Sequence, residues 1–309
     1  MLPFDIPFPQ IDPEIFRIGP VAIRWYSLSY IAGIAGAYFY VRHLFSIEKL
    51  WSWAPKGKPP FDRALLEDYV FWAAVGIIIG GRVGYLLFYG LPYQSDIYLA
   101  DPVRILKVWQ GGMSFHGGFL GVVLASILFA RKYNLDMFLL GDLVAGGAPI
   151  GLFFGRLANF VNGELWGRQS DVAWAMVFPA ETGAGPLPRH PSQLYEAGLE
   201  GLALFGLLML FTLAFRLLAK RGFLMGFFFA WYGAARTFVE FFRDSPTRPF
   251  GEAHWFTQGM LLSSFMIAAG VWFMWRSFQP ENAANRPVFK QKVVSASPEK
   301  SQKKPKSKS

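Results

Sequence analysis

The chain has 309 residues, 53% hydrophobic, 18% aromatic and only 17% charged, with a mean hydropathy of +0.29. Soluble domains are about a quarter charged, so this composition points to a polytopic membrane protein. Of the net charge of +9, the segment from Arg276 onward supplies +7, with seven lysines and two arginines against Glu281 and Glu299. A basic tail on a near-neutral body argues against a nucleic-acid partner. There is no cysteine, and none of His43, His116, His190 and His254 is paired at a ligand spacing. Disulfides and a cysteine nucleophile are thereby excluded, and neither a metal site nor a cofactor is expected.

Residues 1–20 contain Asp5, Asp12, Glu14 and several prolines without a basic leading stretch. They read as an external N-terminal segment rather than a cleavable signal. Seven apolar stretches follow, at 21–44, 67–90, 114–130, 138–160, 195–218, 222–241 and 257–275. Each reaches or approaches the ~17–25 residues that cross ~30 Å of hydrocarbon as a helix. The expected fold is all-α, an integral membrane protein of about seven transmembrane helices filling residues 21–275. Basic residues gather in alternate loops: Lys49, Lys56, Lys58 and Arg63; Arg131 and Lys132; Arg216, Lys220 and Arg221; then the tail. Because cytoplasmic loops carry the lysine and arginine excess, the N-terminus is expected outside and the C-terminus in the cytoplasm. Residues 276–309 read as a disordered tail, either a solvated end or an attachment to anionic lipid at about 1 kcal/mol per lysine. No internal repeat is evident, which weighs against a transporter built from inverted halves.

Polar groups within these stretches are the candidates for chemistry, since each is costly to leave unpaired in hydrocarbon. The fourth stretch closes on Arg156, Asn159, Asn162 and Glu164, four polar side chains within nine residues. An arginine beside amides at a lipid boundary suits a phosphate or a carboxylate. Gly147, Gly151 and Gly155, spaced by four, would let a neighbouring helix approach closely. In the sixth stretch Tyr232, Arg236, Glu240 and Arg243 fall on one helical face. They form either an internal Arg–Glu–Arg ladder or an anion site in which Glu240 steadies an arginine. His116, followed by Gly117 and Gly118, combines a side chain suited to proton transfer near neutral pH with bare backbone that a substrate can approach. Arg82 and Asp142 are expected to be structural, and one arrangement that satisfies both pairs them with each other. Arg24-Trp25-Tyr26 opens the first stretch, and Arg189-His190-Pro191-Ser192-Gln193-Leu194-Tyr195-Glu196 enters the fifth.

Taken together, these motifs resemble the prolipoprotein diacylglyceryl transferases of the bacterial inner membrane. The matching pieces are Arg24 to Tyr26, Gly80 to Tyr85, His116 to Gly118, Gly155 to Gly167, His190 to Glu196 and Tyr232 to Arg243, so the resemblance covers roughly residues 15–275. It implies transfer of a diacylglyceryl group from phosphatidylglycerol to the thiol of a lipobox cysteine in a preprolipoprotein, giving a thioether and glycerol phosphate. The reacting cysteine is then the substrate's own.

The resemblance also implies residue roles. Arg156 and Arg236 hold the phospholipid headgroup. Tyr26, His116, Asn159, Glu164, Gly167, Glu196, Tyr232, Glu240 and Arg243 line or support the site. His116 is the candidate base for the thiol, the alternative being an arginine field that lowers the thiol pKa without a dedicated base. Ser27 and Ala158 stand where the family favours glycine, the proline after Arg243 is displaced to Pro246, and the lysine tail is outside the family pattern. Two other classes use the same arginines: a lipid-binding scaffold without catalysis, and a channel or transporter.

Overall fold

The computed structural model describes residues 6–9, 11–19, 21–244 and 256–280. Arg248, His254, the Ser245–Pro246 step and the lysine-rich tail beyond Pro280 lie outside them. Among the described residues are seven long helices. They are α1 (Trp25–Ser46), α2 (Arg63–Tyr85), α4 (Phe115–Tyr133), α5 (Met137–Val161), α6 (Ser192–Leu213), α7 (Phe223–Glu240) and α8 (Gln258–Ser277). A π turn, Leu86–Gly90, continues α2 into α3 (Leu91–Ala100). Among the described residues, five segments are long and apolar enough to cross a membrane: α2 with α3, α4, α5, α6 and α8. Their outward faces expose large apolar side chains such as Phe71, Ile79, Leu120 and Phe265, where lipid would lie. The chain is thus a multi-pass integral membrane protein.

Local chemistry sets the helix ends. Asp62, Asp136, Ser114 and Thr257 cap α2, α5, α4 and α8 by accepting hydrogen bonds from first-turn backbone N–H groups. Gly222, at φ +94°, is the left-handed residue from which α7 starts. Residues 21–24, expected to be helical, instead form a strand. Arg24 is extended, and β3 (Val21–Arg24) pairs antiparallel with β2 (Glu14–Ile18) across a turn that includes Gly19 at φ +56°. Apolar residues there serve a hairpin, and hydropathy alone does not separate the two outcomes. A short parallel pair joins β1 (Ile6–Pro7) to β4 (Met176–Val177).

Helices approach closely where both surfaces are bare. A Cβ at Gly33 on α1 would lie 2.7 Å from the Gly151 Cα on α5, and one at Gly147 would lie 2.8 Å from the Ala37 Cβ. Gly155 differs from this expectation, since nothing lies within 4 Å of where its Cβ would be. The proposed Arg82–Asp142 pair is also absent. Arg82 donates to the carbonyls of Arg104, Ile105, Gly111 and Gly112 and so fastens the loop after α3. Asp142, fully buried, accepts from the backbone N–H groups of Gly222 and Met225 and caps α7 from a neighbouring helix. Each side chain found backbone partners, which satisfy a buried polar group without a counter-charge.

The main core, which includes Leu50, Trp51, Phe129, Leu135, Leu139, Leu208, Leu218 and Leu224, gathers the loops around 45–66, 131–137 and 216–221 at one end of the bundle. At the other end a smaller cluster of Phe8, Phe178 and Ala184, with Phe160, Trp166 and Met176, roofs the tip of α5. The functional candidates lie beneath that roof.

Candidate active site

Three helices converge on one charged cluster. Arg156 comes from the last turns of α5, Glu196 and Glu200 from α6, and Tyr232, Arg236 and Glu240 from α7, with Arg243 in the turn just beyond. Glu196 is the hub. Its Oε1 lies 2.7 Å from Arg243 Nη1 and 3.5 Å from Arg236 Nη1, and its Oε2 lies 3.2 Å from Arg156 Nη1. Glu240 Oε2 lies 2.6 Å from Arg236 Nη1 and 3.8 Å from Arg243 Nε, so the ladder expected along α7 is present. Glu200 Oε2 closes the far side of Arg156, accepting from Nη2 at 3.1 Å and Nε at 3.3 Å.

The burial is asymmetric. The Glu196, Glu200 and Glu240 side chains are 0%, 0% and 2% exposed, whereas the Arg156, Arg236 and Arg243 side chains keep 18%, 18% and 15%. The carboxylates form a sealed floor, and each arginine side chain keeps a small part of its surface exposed. Removing one partner of a buried ion pair costs about 3–5 kcal/mol, so the floor holds the arginines in place at a free-energy cost to any rearrangement. Tyr232 lies within electrostatic reach of Glu200, Arg156, Arg236 and Glu196, its ring stacked on Phe228.

Sequence reasoning missed Glu200. Its signal was the spacing of four from Glu196 in an otherwise apolar stretch. A π turn, Ala197–Ala203, carries Glu200, and the Trp231 Nε1–H of α7 donates to the Leu199 carbonyl within it. Such turns widen a helix locally and are frequent at functional sites. From α8, Gly259 covers Glu240, where a Cβ would come 3.1 Å from the carboxylate.

The loop after α5 ties the cluster to the roof. Gly163 (φ +65°) and Leu165 (φ +60°) turn the chain, while Gln193 Nε2 and the Ser192 hydroxyl donate to the Glu164 and Leu165 carbonyls. Gly167 sits where three backbone segments cross. Its N–H donates to the His190 carbonyl, and a Cβ there would come 2.7 Å from the His190 Cβ and closer still to the Phe242 carbonyl. Arg168 donates through its backbone N–H to Phe242 and through Nε to Arg243, so this crossing positions the chain that bears Arg243. Arg189 donates to the Ala184 and Gly167 carbonyls, pairs with Asp244 and lies 4.0 Å from the Trp166 ring centre. Partial burial holds the His190 imidazole below its usual pKa, with Nδ1 3.0 Å from the Tyr195 hydroxyl.

Other expected residues stand apart from the arginines. Asn159 donates from Nδ2 to Glu164 Oε1 at 2.8 Å, and neither is hydrogen-bonded to Arg156 among the described residues. Tyr26 faces Tyr30 edge-on, and Tyr30 is within electrostatic reach of Glu164. Asn159 is buried and Glu164 exposed, so these residues form a polar group running from the end of α5 outward to the surface. His116 is exposed at the start of α4 and lines a cavity with Tyr85, Tyr89, Met113, Ser114 and Phe115. No hydrogen bond or ion pair links it to the cluster among the described residues.

A multi-pass helical membrane protein with three partly exposed arginines on a floor of enclosed carboxylates defines a class: integral membrane proteins with a built polar site. Comparison with known proteins narrows it. The chain belongs to the prolipoprotein diacylglyceryl transferase family, whose model matches residues 13–276. It is 52% identical over 274 residues to the phosphatidylglycerol–prolipoprotein diacylglyceryl transferase of Allorhizobium ampelinum, covering 88% of this chain and 92% of that protein. The proteins of the same name from Rhizobium leguminosarum bv. trifolii and Rhizobium meliloti are each 50% identical, over 88% and 90% of this chain and 94% and 96% of theirs.

Proposed function

We propose that the chain is a transferase that moves the diacylglyceryl group of phosphatidylglycerol onto a prolipoprotein, and that the acceptor is the thiol of a lipobox cysteine. The bond from the glycerol carbon to the phosphate oxygen breaks, a carbon–sulfur bond forms, the thiol loses its proton and glycerol phosphate leaves. Negative charge therefore grows on the departing phosphate. Arg156 and Arg236 are the groups for it: guanidinium forks in a low-dielectric site, already oriented, stabilise such charge with little reorganisation. The observation that carries this reading is the asymmetric burial, with carboxylates sealed and arginines partly exposed. Arg243 is the third cation of the same face. Tyr232, Glu196 and Glu240 support the pair, and Gly167 fixes the backbone beside Arg243.

The outer group of Tyr26, Asn159 and Glu164 is assigned to the approach of the substrates. His116 is the candidate thiol base, the alternative being thiolate formation in the arginine field. A His116→Gln variant that keeps the wild-type pH–rate profile would favour the latter. In this reading the enzyme sits in the bacterial inner membrane with seven spans over residues 21–275. Its N-terminus is external and the tail from residue 276 is cytoplasmic. Single cysteines placed in a chain that has none, labelled from either side of the membrane, test this topology.

The purified protein, given labelled phosphatidylglycerol and a lipobox peptide, should release glycerol phosphate only when the peptide thiol is free. Binding without release would indicate a scaffold, and ion flux in liposomes with neither would indicate transport.

A further inference from the structure

The cluster is electrically balanced: Arg156, Arg236 and Arg243 against Glu196, Glu200 and Glu240. A phosphodiester brings one more negative charge into this partly enclosed space. An uncompensated buried charge is costly, so a proton accompanying the anion stabilises the complex. We infer that binding of the anionic phospholipid headgroup takes up one proton and that Glu200 holds it. The inference rests on the reading of Arg156 as a phosphate ligand.

The three carboxylates differ in how firmly arginine holds them. Glu196 meets three guanidiniums and Glu240 meets two, whereas Glu200 meets Arg156 alone, through Oε2. The Glu200 Oε1 is fully enclosed and makes no hydrogen bond. Protonation there therefore breaks the fewest contacts. The groups around Glu200 are Arg156 from α5, Glu196 on its own helix, and Tyr232 and Arg236 from α7; Glu240 pairs with Arg236 and Arg243 with Glu196, one contact further out. Asp142, also on α5, faces the backbone of Gly222 and Met225 instead. The proton comes from water and bonds to Oε1. Oε2 then faces Arg156 as part of a neutral carboxyl, and the guanidinium turns its charge to the phosphate. Glu200 touches no substrate and is a positioning residue.

The test uses the full chain in nanodiscs with short-chain phosphatidylglycerol and no peptide, in weak buffer, together with the KM for the lipid across the alkaline range. Wild-type protein should take up about one proton per lipid bound, and its KM should rise about tenfold per pH unit on the alkaline limb. Glu200→Gln, which mimics the protonated state, should take up none, lose the limb and bind more tightly than wild type at the alkaline end. A carboxylate that only braces the fold would show weaker binding and an unaltered limb. Wild-type binding without proton uptake overturns the inference whether or not the variant folds, as does a variant that keeps the limb. Lipid binding undiminished by Arg156→Ala would overturn the arginine reading instead, and this inference with it.

Discussion

Glu196 is the residue on which the charged cluster most depends, and Glu196→Gln perturbs it with almost no change of shape. The glutamine loses the charge shared by Arg156, Arg236 and Arg243 at 3.2, 3.5 and 2.7 Å. It also turns an N–H donor toward a guanidinium, which has only donors. The three contacts share one charge, so their values do not add; the appropriate figure is that for removing one partner of a buried pair, about 3–5 kcal/mol. The arginines would then repel and splay, and a loss of ~3 kcal/mol in holding the phosphate corresponds to roughly 100-fold in kcat/KM. Thermal unfolding in detergent and the rate of thioether formation measure the two effects. The double variant Glu196→Gln/Arg243→Gln supplies the control. If the cost comes from an uncompensated cation, removing Arg243 as well should restore part of the stability, making the pair less destabilised than the sum of the singles. A neutral Glu196→Gln, or a double variant with fully additive losses, would refute the hub.

Three further outcomes follow from the same geometry. Arg156→Ala and Arg236→Ala should each reduce transfer to the limit of detection, and Arg156→Lys should recover little, because a point charge cannot reproduce a fork that touches Glu196 and Glu200 together; peptide lipidation assays would show wild-type rates if the clamp were wrong. Gly167→Ala should cost about 1–3 kcal/mol, since its Cβ would meet His190 and the Phe242 carbonyl, and should lower kcat/KM through Arg243. The pKa of His190 is depressed in the folded protein, so the unfolded chain binds more protons as pH falls below about 6.5. Its contribution is therefore fully present above that pH and is lost as pH falls through the folded value; the melting temperature should drop over this window less in His190→Gln than in wild type.

The parts of this molecule that were legible in the sequence are those that lipid enforces. Long apolar runs marked the helices because hydrocarbon permits little else. Arg156, Arg236 and Glu240 stood out because a membrane interior makes each costly. What was illegible depended on partners without a side-chain signature. Arg82 and Asp142 looked like a pair because each carries a charge, yet their partners are backbone groups that any sequence supplies. Gly167 looked like a residue beside substrate, whereas three crossing backbones account for its lack of a side chain. Glu200 had only its spacing of four from Glu196 to mark it, and the π turn that carries it leaves no mark in the sequence.

These omissions bear on how the site works. Arginines alone would bind an anion and hold it. With Glu196 shared among three guanidiniums and Glu200 reserved for one, the lipid-free site already contains the negative charge that a phosphate would bring. In the proposed reaction a headgroup meets arginines already balanced by carboxylates instead of entering an unbalanced cationic pocket. That lowers the net gain from ground-state binding and leaves more of the arginine field for the charge that grows as the carbon–oxygen bond breaks, which is where binding free energy accelerates a reaction.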